Sequence, residues 1–125
     1  MKIGDCAEVT RAFSTRDVSE YSEVSGHKPH DERVPEPLVG ALFSYLLGVK
    51  LPGMGAMYLK QETRYLQEVP AGESLTARVE ITRLRPDKQL VDLATTCHDS
   101  EGRLVASGRA LVYAGDVESG VDWHE

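Results

Sequence analysis

The side chains best suited to chemistry lie in one short stretch, HKPHDER, where His27, His30 and Asp31 fall within five consecutive positions. Imidazole and carboxylate groups are the usual acids and bases of enzymes, so this stretch is a candidate for proton transfer. Its spacing matches no zinc-binding pattern, and we therefore expect neither a metal nor another cofactor. The alternative interpretation is a surface loop, turning at Lys28-Pro29, whose histidines are simply solvated.

Two more polar residues, Glu36 and Ser44, lie in the apolar segment that follows. Glu36 is at the start of a predicted helix, where an acidic side chain complements the helix dipole. Ser44 either faces a pocket or bonds to the backbone of its own helix. Aromatic residues nearby are interpreted as core or interface positions; they are Phe43, Tyr45, Tyr58 and Tyr65.

The element that must position these groups is a buried helix within residues 34–53, VPEPLVGALFSYLLGVKLPG. Pro37 suits a first helical turn, and Gly48 with Pro52 marks the end. The large apolar residues cover several faces rather than a stripe about 100° wide, so we expect burial on every side. The run is shorter than the ~18 to 20 residues that span a bilayer. These apolar residues are Leu38, Val39, Leu42, Phe43, Leu46 and Leu47.

Strands and a short helix are predicted around this segment. Residues 4–13 have strand character, and the pair Ser14 and Asp17 forms a capping box for a helix from residue 15 to about residue 25. Alternation with period two predicts four more strands at residues 56–67, 74–85, 89–98 and 103–114. Short turns join the last three strands into an antiparallel meander. The short helix ends at Gly26 and is expected to bury Val18, Tyr21 and either Val24 or Ser22.

This order of elements predicts one α+β domain at residues 1–114, with about five antiparallel strands wrapped around one helix, and a loose tail at 115–125. Because one helix covers only one sheet face and sheet edges need partners, we expect a homodimer. A formal charge of −6 over 125 residues argues against nucleic acid and anionic membranes as partners. Cys6 and Cys97 lie far apart and no export signal is visible, so we expect reduced thiols and a cytoplasmic location.

Four motifs, in order, resemble the MaoC-like hydratases, the family that includes the (R)-specific enoyl-CoA hydratases. The similarity runs from about residue 4 to residue 114. The motifs are Phe13-Ser14-x-x-Asp17-Val18-x-x-Tyr21 followed by Ser25-Gly26, Val34-Pro35-x-x-Leu38 through Leu42-Phe43-Ser44, Leu51-Pro52-Gly53-Met54-Gly55 with Tyr58-Leu59, and Val69-Pro70-Ala71-Gly72-Glu73-Ser74-Leu75.

The resemblance implies the hot-dog fold and an acyl-CoA or acyl carrier protein thioester, bound at a dimer interface beside the start of the central helix. It implies hydration of trans-2-enoyl-CoA to 3-hydroxyacyl-CoA, or the reverse dehydration, a lyase reaction of fatty acid metabolism. A backbone N–H at the helix start polarises the thioester carbonyl in this family. By resemblance, Glu36, Ser44, Gly53 and Gly55 are the substrate-binding candidates.

The family's catalytic pair is an Asp and a His within SGDxNPxH, and this chain departs from that pattern. His27 follows Ser25-Gly26 where the Asp is expected, His30 is the best match to the His, and Asp31 follows it. The segment up to Val34 is short, and Glu36 replaces the glycine that opens the helix. The resemblance therefore implies His30 as acid and base, with His27 or Asp31 in place of the missing carboxylate.

Two other interpretations remain open at this point. A carboxylate near the central helix acts as base or nucleophile in some hot-dog thioesterases, and Glu36 or Asp31 would serve here. Alternatively, the shortened loop leaves a domain that only binds acyl thioesters or acts as the partner subunit of a complete hydratase.

Overall fold

The computed structural model describes residues 1–26, 33–118 and 120–124. His27, His30 and Asp31, the predicted catalytic residues, lie outside the described residues. The strands are β1 (Cys6–Ala12), β2 (Met57–Tyr65), β3 (Ser74–Arg85), β4 (Leu90–His98) and β5 (Leu104–Tyr113). The helices are α1 (Thr15–Ser25) and α2 (Glu36–Tyr45), and α2 runs directly into a π-helical turn at Leu46–Lys50.

The five strands form one antiparallel sheet in the order β1-β3-β4-β5-β2. The adjacent β3, β4 and β5 confirm the predicted meander, and β2 lies at one edge. One face of the sheet packs on α2, which confirms the predicted α+β arrangement of a sheet around a helix. A register shift between Tyr58 and Lys60 makes a bulge in β2.

The core lies between α2 and the inner face of β3 and β4. Every second residue of these strands is buried because successive side chains of a strand point to opposite faces. The buried residues include Leu75, Ala77, Val79, Ile81, Val91, Leu93, Thr95 and Cys97 from the sheet, and Val39, Leu42, Phe43, Leu46 and Leu47 from the helical segment.

The expectation that the central helix is buried on every side is wrong for the single protomer. Ala41, Ser44 and Tyr45 are exposed, and Val49 on the π-helical turn is 49% exposed. The sheet covers only the side of α2 that faces β3 and β4, so the apolar residues on its other sides remain uncovered.

Helix α1 has the predicted boundaries. The Ser14 hydroxyl accepts from the Asp17 N–H, the Asp17 carboxylate accepts from the Ser14 N–H, and Gly26 closes the helix at φ 75°. Val18 is buried, but Val24 is 90% exposed, so the prediction that offered Val24 as an alternative core residue is wrong at that position.

The segment after Gly115 is packed rather than loose. Val117 is 6% exposed, and Trp123 packs against the core. The Glu118 N–H donates to the Met54 carbonyl at 2.8 Å, and the His124 N–H donates to the Met1 carbonyl at 2.7 Å. These contacts join the segment to the N-terminus and to the loop after α2.

Neither cysteine is in a disulfide: Cys6 is exposed and Cys97 is buried. Among the described helices, none combines the length and apolarity needed to cross a membrane.

Candidate active site

One row of α2 faces the edge strand β2. Glu36, Gly40 and Ser44 are four residues apart and therefore share a helix face. The Tyr65 hydroxyl lies 3.2 Å from the position that a Cβ on Gly40 would occupy. Near the other end of α2, the Ser44 side chain lies close to the Tyr58 hydroxyl. The two tyrosines thus connect β2 to the exposed face of the central helix.

A cleft of about 430 Å³ opens at the N-terminal end of this row. It is bounded by α1, the segment leading into α2, the end of β2 and one residue of β5. Its polar lining residues are Tyr21, Ser22, Arg33, Glu36, Tyr65, Gln67 and Glu68, and its apolar ones include Val34, Val39, Val69 and Val105.

Several of the polar lining groups already have partners. Arg33 and Glu68 form an ion pair at one wall. The Gln67 side-chain amide donates to the Leu104 carbonyl at 2.9 Å, and the Ser22 hydroxyl donates to the Val18 carbonyl at 3.0 Å. These contacts hold the walls in place, while the charged side chain of Glu36 stands exposed at the mouth.

The first turn of α2 has an unusual set of backbone donors. Its N-cap is Pro35, which makes no side-chain capping hydrogen bond, and Pro37 has no N–H. The Leu38 N–H donates to the Pro35 carbonyl at 3.0 Å. In the described structure the Glu36 N–H has no partner, so it is the donor that this helix end offers to the cleft.

Tyr65 is a protonated phenol at neutral pH. Burial raises its pKa, and the negative charge of Glu36 raises it further. Burial also raises the pKa of Tyr58, while the hydrogen bond with Ser44 acts in the opposite direction. Tyr65 can therefore donate a hydrogen bond within the cleft.

The two glycine candidates have backbone roles in the loop after α2. Gly53 has φ 114° and its N–H donates to the Leu47 carbonyl at 3.1 Å. Gly55 has φ 97°, and a Cβ there would stand 2.1 Å from the Asp116 carbonyl oxygen. Of the four predicted substrate-binding residues, the structure places Glu36 in the cleft; Ser44, Gly53 and Gly55 lie outside its lining.

A second depression of about 490 Å³ lies on the other side of α2, between β1 and α1. Its lining includes Val9, Phe13 and Leu42, and the Arg11 guanidinium stacks 4.7 Å from the centre of the Phe13 ring. This depression is lined mainly by apolar groups and lies away from the start of α2. The described residues contain no cluster of three His, Cys, Asp or Glu side chains able to hold a metal.

Sequence reasoning missed Tyr65, which it interpreted as a core or interface residue, and did not single out Arg33 or Gln67. A usable signal was present for Tyr65. Alternation along β2 assigns it to the face opposite Arg64, toward α2, and a glycine at position 40 leaves room there for a large side chain.

Comparisons with known proteins bear on this arrangement. No protein-family model matches the chain. The (R)-specific enoyl-CoA hydratase of Rhodospirillum rubrum is 31% identical over 126 residues, covering 90% of this chain and 87% of that protein. The chain belongs to the MaoC-like (R)-specific enoyl-CoA hydratase family.

Other members of the family agree in sequence and structure. The (R)-specific enoyl-CoA hydratase of Aeromonas caviae is 43% identical over 75 residues, which span 60% of this chain and 56% of that protein. The solved structure of the (R)-hydratase from A. caviae has a TM-score of 0.85 at 30% identity, covering 90% of this chain and 96% of that one. The solved structure of R-hydratase PhaJ1 from Pseudomonas aeruginosa has a TM-score of 0.87 at 28% identity, covering 100% of this chain and 89% of that one. These likenesses confirm the predicted hot-dog fold.

Proposed function

We propose that this chain catalyses the hydration of trans-2-enoyl-CoA to 3-hydroxyacyl-CoA and its reversal, a step of fatty acid metabolism. The observation that carries the proposal is the cleft at the start of α2, which Glu36 lines and where the Glu36 N–H has no partner among the described residues. Membership of the (R)-specific enoyl-CoA hydratase family supports the same reaction.

The reaction needs charge stabilisation at one place. When water adds to C3 of an enoyl thioester, negative charge accumulates on the thioester oxygen. Unpaired N–H groups at the positive end of a helix stabilise such charge, and in a partly closed cleft they do so more effectively than water. The proposed binding mode therefore puts the thioester carbonyl at the first turn of α2, with the acyl chain along the apolar wall of Val39, Val69 and Val105.

The proposed acid and base is His30, oriented by Asp31 or His27. Water needs a base within hydrogen-bond reach, and C2 needs an acid on the same side. The described residues that precede and follow positions 27–32 support the assignment, because Ser22 on α1 and Arg33 before α2 both line the cleft.

A direct assay tests the activity. Purified protein is mixed with crotonyl-CoA and longer trans-2-enoyl-CoA substrates, and loss of the enoyl absorbance is followed. We expect the absorbance to fall, with 3-hydroxyacyl-CoA as product. Unchanged absorbance with every chain length rejects the proposal, and release of free thiol would instead indicate a thioesterase acting through Glu36 or Asp31.

A double variant tests the residues. His27→Ala combined with His30→Ala should abolish turnover while crotonyl-CoA still raises the melting temperature, because binding energy shifts the folding equilibrium independently of chemistry. The matched control is His124→Ala, whose imidazole lies 64% exposed beside Asp122. Full turnover by the double variant would leave only the helix start as the catalytic element and would refute the assignment of His30.

We also propose a homodimer that pairs β2 with β2 of a second copy. As an edge strand, β2 leaves one row of backbone groups without strand partners in this protomer. Large apolar side chains are exposed on and beside it: Met54, Met57 and Leu59 are 55%, 52% and 53% exposed. Burial of these residues and completion of the hydrogen-bonded edge would favour association.

Sedimentation velocity tests the dimer. We expect wild type to sediment as a dimer and Leu59→Lys as a monomer, since lysine on an edge strand opposes pairing. Val24→Lys is the control because Val24 is 90% exposed on α1, away from β2. A monomeric wild type at the highest concentration would refute the interface.

Free Cys6 and Cys97 accord with the proposed cytoplasmic location.

A further inference from the structure

We propose that Tyr65 is a catalytic residue whose hydroxyl donates a hydrogen bond to the thioester carbonyl oxygen, beside the Glu36 N–H. This inference rests on the proposed function and adds to it a second donor, supplied by β2 rather than by α2. The resulting oxyanion site spans the gap between the helix and the edge strand.

The position of the hydroxyl is the first argument. It lies over Gly40, 3.2 Å from where a Cβ would stand. Gly40 is one helical turn after Glu36 on the same face of α2. The phenol therefore lies against the first turns of α2, and it lines the same cleft as Glu36.

The bonding state of the Tyr65 hydroxyl also supports this role. Among the residues that the structure describes, the Tyr65 hydroxyl has no hydrogen-bond partner, although the ring is half-buried in the cleft. A phenol hydroxyl that lines a cleft without a protein partner is available to an acceptor on a ligand.

The protonation state of the Tyr65 phenol gives further support. Burial and the Glu36 carboxylate both raise the pKa of Tyr65, so the O–H keeps its proton and remains a donor. The same carboxylate disfavours a phenolate in the cleft. Tyr65 would therefore act toward a developing oxyanion as a hydrogen-bond donor and not as an acid, offsetting part of the repulsion from Glu36.

The electron movements during the addition of water are consistent with this role of Tyr65. As the water oxygen forms a bond to C3, the C2–C3 π pair moves into the C1–C2 bond and the carbonyl π pair moves onto oxygen. Tyr65 and the Glu36 N–H then share hydrogen bonds to that oxygen. The proton that water loses goes to the base of the proposed function, and C2 takes a proton from the acid on the same side. The C1–C2 π pair forms the C2–H bond, the pair on oxygen returns to the carbonyl, and both donors are left as they began.

Tyr65→Phe tests the proposal, because it removes the hydroxyl and keeps the ring. For crotonyl-CoA we expect kcat to fall about 100-fold, the order reported for loss of one oxyanion donor, with KM changed less than about 2-fold. The control is Tyr113→Phe, which loses a hydroxyl that donates to the Gln89 side chain at 3.1 Å, outside the cleft. Control activity should equal that of wild type.

An optical measurement separates this proposal from the proposed function. A conjugated acyl thioester such as 4-dimethylaminocinnamoyl-CoA absorbs at longer wavelength when its carbonyl is polarised. We expect a red shift on binding to wild type and a smaller one with Tyr65→Phe. If wild type fails to hydrate any enoyl-CoA, the proposed function fails. If wild type is active but Tyr65→Phe matches it in kcat and in red shift, the role of Tyr65 is refuted; absence of a shift with wild type refutes it too.

Discussion

Tyr65 and Gly40 meet across the gap between β2 and α2, with the hydroxyl oxygen 3.2 Å from the place of a Cβ at position 40. Glycine inside a helix costs about 1 kcal/mol of stability relative to alanine. At this position the missing side chain lets a phenol approach the helix face beside Glu36. Gly40 therefore lowers the stability of α2 but lets the Tyr65 phenol enter the cleft.

Gly40→Ala should separate activity from stability. We expect the free energy of unfolding to rise by up to about 1 kcal/mol, because the helix gains propensity and the hydroxyl can shift by a few tenths of an ångström. Hydratase activity should fall, since the shift moves the Tyr65 donor. Chemical denaturation and kcat with crotonyl-CoA measure the two effects. In a Tyr65→Phe background, Gly40→Ala should cost no further activity; an additive loss would contradict the coupling.

Gly55→Ala should destabilise the protein more than Gly53→Ala. Both glycines have positive φ, 97° and 114°, so alanine is strained by roughly 1 to 3 kcal/mol at either position. At Gly55 the new Cβ would also stand 2.1 Å from the Asp116 carbonyl oxygen, whereas at Gly53 the nearest neighbour, the Val49 carbonyl oxygen, is 3.9 Å away. Thermal unfolding measures the difference, and equal losses would show that the contact with Asp116 is unimportant.

Thr95→Val should stabilise the protein. The Thr95 hydroxyl is fully buried on β4 and has no hydrogen-bond partner among the described residues. Replacing an unsatisfied buried hydroxyl by a methyl group of similar size removes its desolvation cost, about 1 kcal/mol or more. Thr96→Val, on the opposite face of the same strand, is the control. Urea denaturation gives the free energies of unfolding, and a loss of stability in Thr95→Val would indicate a bound water at this site.

The two cysteines should differ sharply in reactivity. Burial, with a smaller contribution from Asp99, raises the pKa of the Cys97 thiol to about 11, and Cys6 is exposed. Because the thiolate is the reactive form, a disulfide reagent at pH 8 should modify one thiol in the folded protein and two in denaturant. Cys6→Ser should abolish the folded-state reaction. Rapid modification of Cys97 in that variant would contradict its burial.

Acid should weaken the start of α1. Hydrogen bonds from the Ser14 backbone and hydroxyl lower the pKa of Asp17. A lowered folded-state pKa adds stability above the unfolded pKa, near 3.9, and this stability is lost as the pH falls through the folded value. Asp17→Asn should therefore lower the melting temperature at pH 7 but hardly at pH 2 to 3. Glu23→Gln on the same helix serves as the control, and a difference that persists in acid would contradict the sign.

Much of the fold was predictable because its signals are local. The Ser14 and Asp17 capping box and Gly26 marked both ends of α1, and the strand predicted at residues 74–85 has the bounds of β3, with regular alternation as far as Ile81. These patterns depend on neighbouring residues in sequence. The tail was misjudged because the burial of Val117 and Trp123 depends on contacts with distant residues.

The site was less predictable for the same physical reason. Glu36 was found because its position at a helix start is visible in sequence. The role of Tyr65 depends on its distance to Gly40, 25 residues away, and on the bulge that sets which face of β2 it occupies. No local pattern contains that distance, so composition and spacing alone assigned the residue to the core or an interface.

The two helices differ in how their first turns are completed. In α1 the Ser14 hydroxyl accepts from the Asp17 N–H, so a side chain of the sequence itself caps that helix. In α2 the residue at the equivalent position is Pro35, which has no group to offer. An oxygen atom of a bound thioester would accept from the Glu36 N–H, the first donor of α2, whereas serine accepts from the third donor of α1. Substrate would then act as part of the secondary structure, and its departure would leave the central helix with an open end.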